Sequence, residues 1–186
     1  MRVRDPDTKK QLLLAAALAE FAEHGVAGAR VDRLAKRAGV SAGHVYSFYD
    51  GKEGLFEAVY DAVVEQTVDG IPIDADDLPE YAGRLYDAGL AHPQVMRFVA
   101  WYMLERGEHA GPRASVTGAM AAKVAVIADA QRRGVVTDRI APGEVLSLVL
   151  TIANMWHHQG EETRALVPAE SRRSLVVDSV RRLVAP

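Results

Sequence analysis

Residues 31–50, VDRLAKRAGVSAGHVYSFYD, decide the fold. Val31, Leu34, Ala35 and Ala38 recur at i, i+3, i+4 and i+7, the spacing of one apolar stripe on a helix of about two turns. Gly39 ends that helix, because glycine tolerates the left-handed backbone that a sharp turn needs. The spacing expects the Ser41 hydroxyl to cap the free N–H groups of a second helix. Ala35 is small where two helices must approach closely, and Val45 is the apolar anchor ten residues later. Two short helices locked by a tight turn follow, which is helix-turn-helix spacing.

The flanks extend the pattern on both sides, with LLLAAALAEFAEHG at residues 12–25 and GVSAGHVYSFYDGKEGL at residues 39–55. Over roughly residues 8–56 the chain resembles the DNA-binding segment of the TetR family of transcriptional regulators. Leu13, Ala16, Ala17, Phe21, Gly25, Ala35, Gly39, Val40, Ser41, Gly43, Tyr46, Lys52 and Leu55 carry the resemblance. It implies a one-component repressor built only from helices. A helix-turn-helix DNA-binding domain at residues 1–51 would precede a helical effector-binding and dimerisation domain at residues 52–186.

Composition narrows the class. With 186 residues and 49% hydrophobic content, the chain is long enough for a substantial core and too apolar for general disorder. No apolar run is long enough to cross a bilayer and the start lacks a signal-peptide pattern, so a cytoplasmic protein without membrane partners is expected. The absence of cysteine excludes disulfides, thiolate metal sites and cysteine nucleophiles. A net charge of −3 argues against nucleic acid, but its distribution does not. Residues 1–54 carry nine Lys or Arg, Arg2 and Arg4 among them, against seven acids, and all the excess acid lies beyond.

Prolines and glycines punctuate an otherwise helical chain, and no strand-like alternation is sustained. Helices are expected at about 8–24, across the corner, at 51–67, 78–91, 93–106, 112–133, 143–158 and 168–184, nine in all. Asp50 with Glu53 and Asp77 with Glu80 have capping-box spacing, and Pro93, Pro112, Pro142 and Pro168 stand where new apolar patterns begin. The acidic, proline-bearing DGIPIDADDLP at residues 69–79 reads as a loop.

A recognition helix presents its outward residues to the major groove. Since Val45 faces inward, and Tyr49 one turn on shares that face, Ser41, Ala42, Gly43, His44, Tyr46, Ser47 and, less directly, Phe48 point toward DNA. His44 and Ser47 can hydrogen-bond to bases, Ala42 can touch a thymine methyl, and Tyr46 can reach a phosphate. Lys52 at the next helix N-terminus, with Lys9, Lys10 and Arg30, supplies phosphate contacts. Arg30 replaces the threonine frequent there in the family, and Phe48 replaces a more polar residue.

Residues 142–158, PGEVLSLVLTIANMWHH, are apolar on nearly every face, so both core and a second subunit are expected to cover this helix. The last helix, with Leu175, Val176, Val180, Leu183 and Val184, suits the same seam. A homodimer would read a palindromic operator in half-sites spaced by about 34–36 Å. Phe98, Trp101, Tyr102, Met120, Met155 and Trp156 concentrate adaptable apolar surface, and by the resemblance they line a pocket for a small hydrophobic or aromatic effector. His92, Gln94, Asn154 and His157 are its candidate polar groups.

No cofactor is called for. The adjacent His157 and His158 point about 100° apart on a helix, too divergent for one metal ion. No nucleophile elbow, phosphate loop or paired carboxylate frames an enzyme site. The rivals are a ligand-independent DNA-binding regulator whose body is filled by its own side chains, and a small helical enzyme.

Overall fold

The structure is a computed structural model that describes residues 5–106 and 111–186, so Arg2 and Arg4 lie outside the described residues. Those residues form ten helices and no strand: α1 Pro6–Gly28, α2 Val31–Ala38, α3 Gly43–Tyr49, α4 Gly51–Gly70, α5 Leu78–Ala91, α6 Pro93–Arg106, α7 Ala114–Arg132, α8 Pro142–His158, α9 Glu161–Arg164 and α10 Ala169–Val184. The sequence expectation of nine omitted α9, a single turn with no apolar period to betray it. None of the described helices is long and apolar enough to cross a membrane.

The chain divides into two compact units, residues 1–67 with 93–111 and residues 68–92 with 112–186. In the first, α1 packs against α2 and α6, and α2 against α3. Leu13, Ala17, Phe21, Leu34, Ala35, Ala38 and Val45 are buried together with Leu55, Phe56 and Val59 of α4. Phe56 meets Phe21 and Phe98 edge-on, at centroid distances of 5.0 and 5.3 Å, and Tyr60 stacks on Tyr102 at 3.7 Å. Aromatic pairs contribute about 0.5–1.5 kcal/mol each beyond the area they bury, so α6 is held firmly to the helix-turn-helix unit.

Gly25 shows how the backbone permits this. Its φ of 63° breaks the helical run within α1, and a Cβ there would meet Glu105 Oε1 at 2.5 Å and the Trp101 ring at 3.0 Å. The freed Val26 N–H donates to Glu105 Oε1 at 2.8 Å. α6 thereby caps a break in α1.

The second unit is a helical core built on α5, α7, α8 and α10. Tyr81, Ile127, Val145, Val149, Ala153, Val176 and Val180 are fully enclosed. Asp77 Oδ1 accepts from the Glu80 N–H at 3.1 Å, which is half of the expected capping box. The other half is absent because Glu80 accepts from Arg173 of α10, at 2.5 Å, and Asp87 accepts from the same guanidinium. Pro93 and Pro142 begin their helices as expected, whereas α7 starts two residues after Pro112 and Pro168 precedes α10. The outer face of α8 is less apolar than its sequence suggested: Ser147, Leu148 and Thr151 are exposed, with Thr151 Oγ1 donating to the Ser147 carbonyl.

Candidate nucleic-acid interface

Gly39 adopts the left-handed conformation, φ 67° and ψ 36°, and closes α2 with its N–H donating to backbone carbonyls of the last turn. The chain then re-enters helix at Gly43 with Val45 fully buried. That single anchor turns the opposite surface of α3 outward. Tyr46 is 63% exposed. Ser41, Gly43 and Ser47 are also exposed, while Ala42 and His44 are half-covered.

Ser41 does not cap α3 through its side chain. Its hydroxyl is hydrogen-bonded to His44 Nδ1 at 2.7 Å, and the Ser41 carbonyl accepts the His44 N–H instead. The pair fixes the imidazole and leaves Nε2 as its outward atom. Ser47 Oγ donates to the His44 carbonyl at 3.2 Å, so its lone pairs are what it offers outward. Phe48 turns partly inward, 5.3 Å from the His44 ring and beneath Lys10 Nζ at 5.7 Å. Tyr49 Oη donates to the Lys10 carbonyl at 3.1 Å, tying α3 back to α1, and burial pushes this phenol above its ordinary value.

The expected Asp50–Glu53 capping box does not form. Asp50 takes a left-handed conformation at the end of α3, and Glu53 instead pairs with Arg106. Lys52 Nζ donates to the Ala29 carbonyl at 3.3 Å, closing the end of α1, so one of its three donors is engaged within the protein. Arg30 is exposed immediately before α2, and Lys9 is half-buried on α1.

Glu20 escaped sequence reading because a helical glutamate normally reads as solvated surface. It is 1% exposed. Its Oε1 accepts from the Arg30 N–H at 3.0 Å and from Arg33 Nε at 2.8 Å, which seats the start of α2 on α1. Burial raises its pKa, but the hydrogen bond and charge of Arg33 and the Arg30 N–H outweigh it and hold the carboxyl below the usual range. A depressed carboxylate contributes stability in full above its unfolded value and loses it as pH falls through the folded value. Glu20→Gln keeps an acceptor but removes its charge, and should therefore destabilise the unit by about 1–2 kcal/mol near neutrality by weakening the bonds from Arg33 and the Arg30 N–H. Its acid denaturation curve should be flatter below pH 4.5 than that of the parent chain, and superimposable curves would remove Glu20 from this role.

The six residues expected to line an effector pocket fall in different units. Phe98 and Tyr102 are buried in the first, with Tyr102 Oη donating to Glu57 at 3.0 Å, and Trp101 packs on Gly25. Met120, Met155 and Trp156 belong to the core of the second. Of the candidate polar groups, His92 and Gln94 are exposed, and Asn154 donates to the Leu150 carbonyl. His157 fits only because residue 89 is glycine, where a Cβ would be 2.1 Å from Nε2. Burial, with the charges of His158 and Arg164, lowers its pKa. A shallow concavity of about 720 Å³ on the second unit has other walls, among them Ile73, Arg84, Val126 and Arg133. No cluster of three or more His, Asp or Glu among the described residues is placed to hold a metal ion.

A helix-turn-helix corner with an outward second helix, joined to a separate helical unit, defines a DNA-binding transcriptional regulator. The chain belongs to the TetR family. Residues 13–59 match the family's N-terminal model, "Bacterial regulatory proteins, tetR family", and residues 77–182 match "Tetracyclin repressor-like, C-terminal domain". The HTH-type transcriptional repressor SCO4008 of Streptomyces coelicolor is 38% identical over 155 residues, covering 83% of this chain and 81% of that protein. The solved structure of SCO4942 from Streptomyces coelicolor superposes with a TM-score of 0.84 at 34% identity, over 95% of this chain and 98% of the other. A TetR family regulator from Marinobacter aquaeolei shares the fold at 18% identity, with a TM-score of 0.70 and 96% coverage of both chains.

Proposed function

We propose that this protein is a repressor that binds a palindromic operator as a homodimer and releases it when a small, largely apolar effector enters the second unit. The outward surface of α3 carries the DNA half of the reading: opposite the buried Val45, His44 and Ser47 are held by bonds internal to the corner and Tyr46 stands exposed between them. Ala42, Gly43 and His44 lie at the end of α3 that would approach base edges, Tyr46 and Ser41 beside them. Lys9, Arg30 and Lys52 would meet phosphates on the flanks. Repression, rather than activation, is favoured by the likeness to SCO4008, a protein named as a repressor.

Dimerisation is supported by the exposed Leu148 of α8 and Leu175 of α10 beside small polar neighbours, a surface that two copies can share. Effector binding is supported by buried polar atoms near the end of α8, since Trp156 Nε1, His157 Nε2 and Gln159 Oε1 have no hydrogen-bond partner. Each such atom costs about 1–3 kcal/mol unless something satisfies it. A coupling free energy of about 1–3 kcal/mol would change operator affinity roughly 5- to 150-fold. The chain passes between the units at residues 67–68, 92–93 and 111–112, so α4 and α6 are the levers available.

Selection of bound sequences from random duplexes tests the DNA reading. A palindrome should be recovered, and Tyr46→Ala should weaken binding to it. Lys52→Ala should weaken all sequences alike and reduce the salt slope by about 1. No enrichment at low salt would end the proposal.

A further inference from the structure

Lys123, in the middle of α7, is only 6% exposed. Its Nζ donates to Tyr81 Oη of α5 at 2.9 Å, and it forms no ion pair with an acid among the described residues. Four acids elsewhere in this unit are engaged by other cations: Glu80 and Asp87 by Arg173, and Asp76 and Asp129 by Arg133. A second cation, Arg84, lies 6.0 Å from the centroid of the same Tyr81 ring, and Lys123 Nζ lies 5.6 Å from it. Burying a cation without an anion is costly, and a natural core gains nothing by it that a methionine could not supply.

The donor arithmetic gives the complement. An ammonium has three donors, and Tyr81 Oη, which accepts one of them, keeps its own O–H to donate. Two ammonium hydrogens and the Tyr81 O–H are therefore left without an acceptor among the described residues. One turn to either side along α7, Met120 and Ile127 share the face of Lys123 and join the apolar core of the unit. We infer that Lys123 and Tyr81 form the anion-binding end of the effector site, and that the effector is an apolar molecule bearing a carboxylate.

This inference rests on the effector-binding reading and narrows it to a ligand class. Titration calorimetry of the full chain with decanoate and 2-naphthoate, each against its methyl ester, tests it. The acids should bind at least about tenfold more tightly than the esters, as charged hydrogen bonds imply. In Lys123→Met that preference should vanish, while the ligand-free variant melts no lower than the parent because a buried charge has been removed. Should Lys123→Met fail to fold, Tyr81→Phe decides, with the preference falling several-fold. Parent protein that shows no preference for the acids, including no binding at all, or a preference that survives in both variants, overturns the proposal. Acid binding that leaves operator affinity unchanged would instead overturn the effector reading and leave the anion site standing.

Discussion

Gly54→Ala should abolish operator binding while leaving the second unit folded. The chain leaves α3 through two residues with positive φ, Asp50 at 55° and Gly51 at 92°, and reverses so tightly that the first turn of α4 lies on the Tyr49 carbonyl. A Cβ at residue 54 would be 1.7 Å from that oxygen. Carbon and oxygen need about 3.3 Å even in a close contact. The turn would have to open by roughly 1.6 Å, and the oxygen is backbone, so no rotamer change can absorb it. A binding constellation tolerates displacements of only about 0.5 Å. The recognition helix would consequently leave its register on DNA, and overpacking of about 1–3 kcal/mol would fall on the first unit alone. Fluorescence anisotropy with the selected operator checks the loss, and sedimentation checks that the oligomeric state is unchanged. Operator affinity equal to that of the parent chain would show that α3 and α4 are not rigidly joined at this point.

Leu148→Arg should have the second large effect, by a different route. Leu148 is 42% exposed on α8, so an arginine meets no core and changes the stability of the protomer by no more than about 0.5 kcal/mol. Across the proposed two-fold axis, however, the same substitution would place like charges face to face in both copies. Sedimentation should report a monomer. Operator affinity should then fall by about 1,000-fold or more, toward the non-specific level, because one corner reads only one half-site. A variant that remains dimeric would move the seam away from α8.

These two positions differ in how far the sequence could reveal them. Leu148 was legible as a candidate for a seam, since an apolar helix needs cover on every side and a small unit has only one core to offer. Gly54 was not. It stands inside an ordinary helical pattern, and the requirement for hydrogen at its α-carbon comes from a carbonyl five residues back, beyond the α3–α4 turn. The aromatic residues show a related limit. Phe98, Trp101 and Tyr102 look like a pocket wall beside Met120, Met155 and Trp156, because helical period and residue type report burial without reporting against what. Packing on Phe21, Phe56 and Tyr60 assigns Phe98 and Tyr102 to the helix-turn-helix unit.

What the sequence determined by itself was local. Val31, Leu34, Ala35, Ala38, Gly39 and Val45 lie within fifteen residues, so their spacing encodes both helices and the turn between them through backbone geometry alone. Tertiary structure decided everything that depends on partners far along the chain. Glu20 became a buried anchor only when α2 closed over it, and Glu105 came 79 residues in sequence to bind Val26. Lys123 is the clearest case: a lysine on α7 reads as solvent-facing until α5 brings Tyr81 to its nitrogen. A charge is cheap in water and costly in a core, and spacing along one helix does not say which of the two surrounds it.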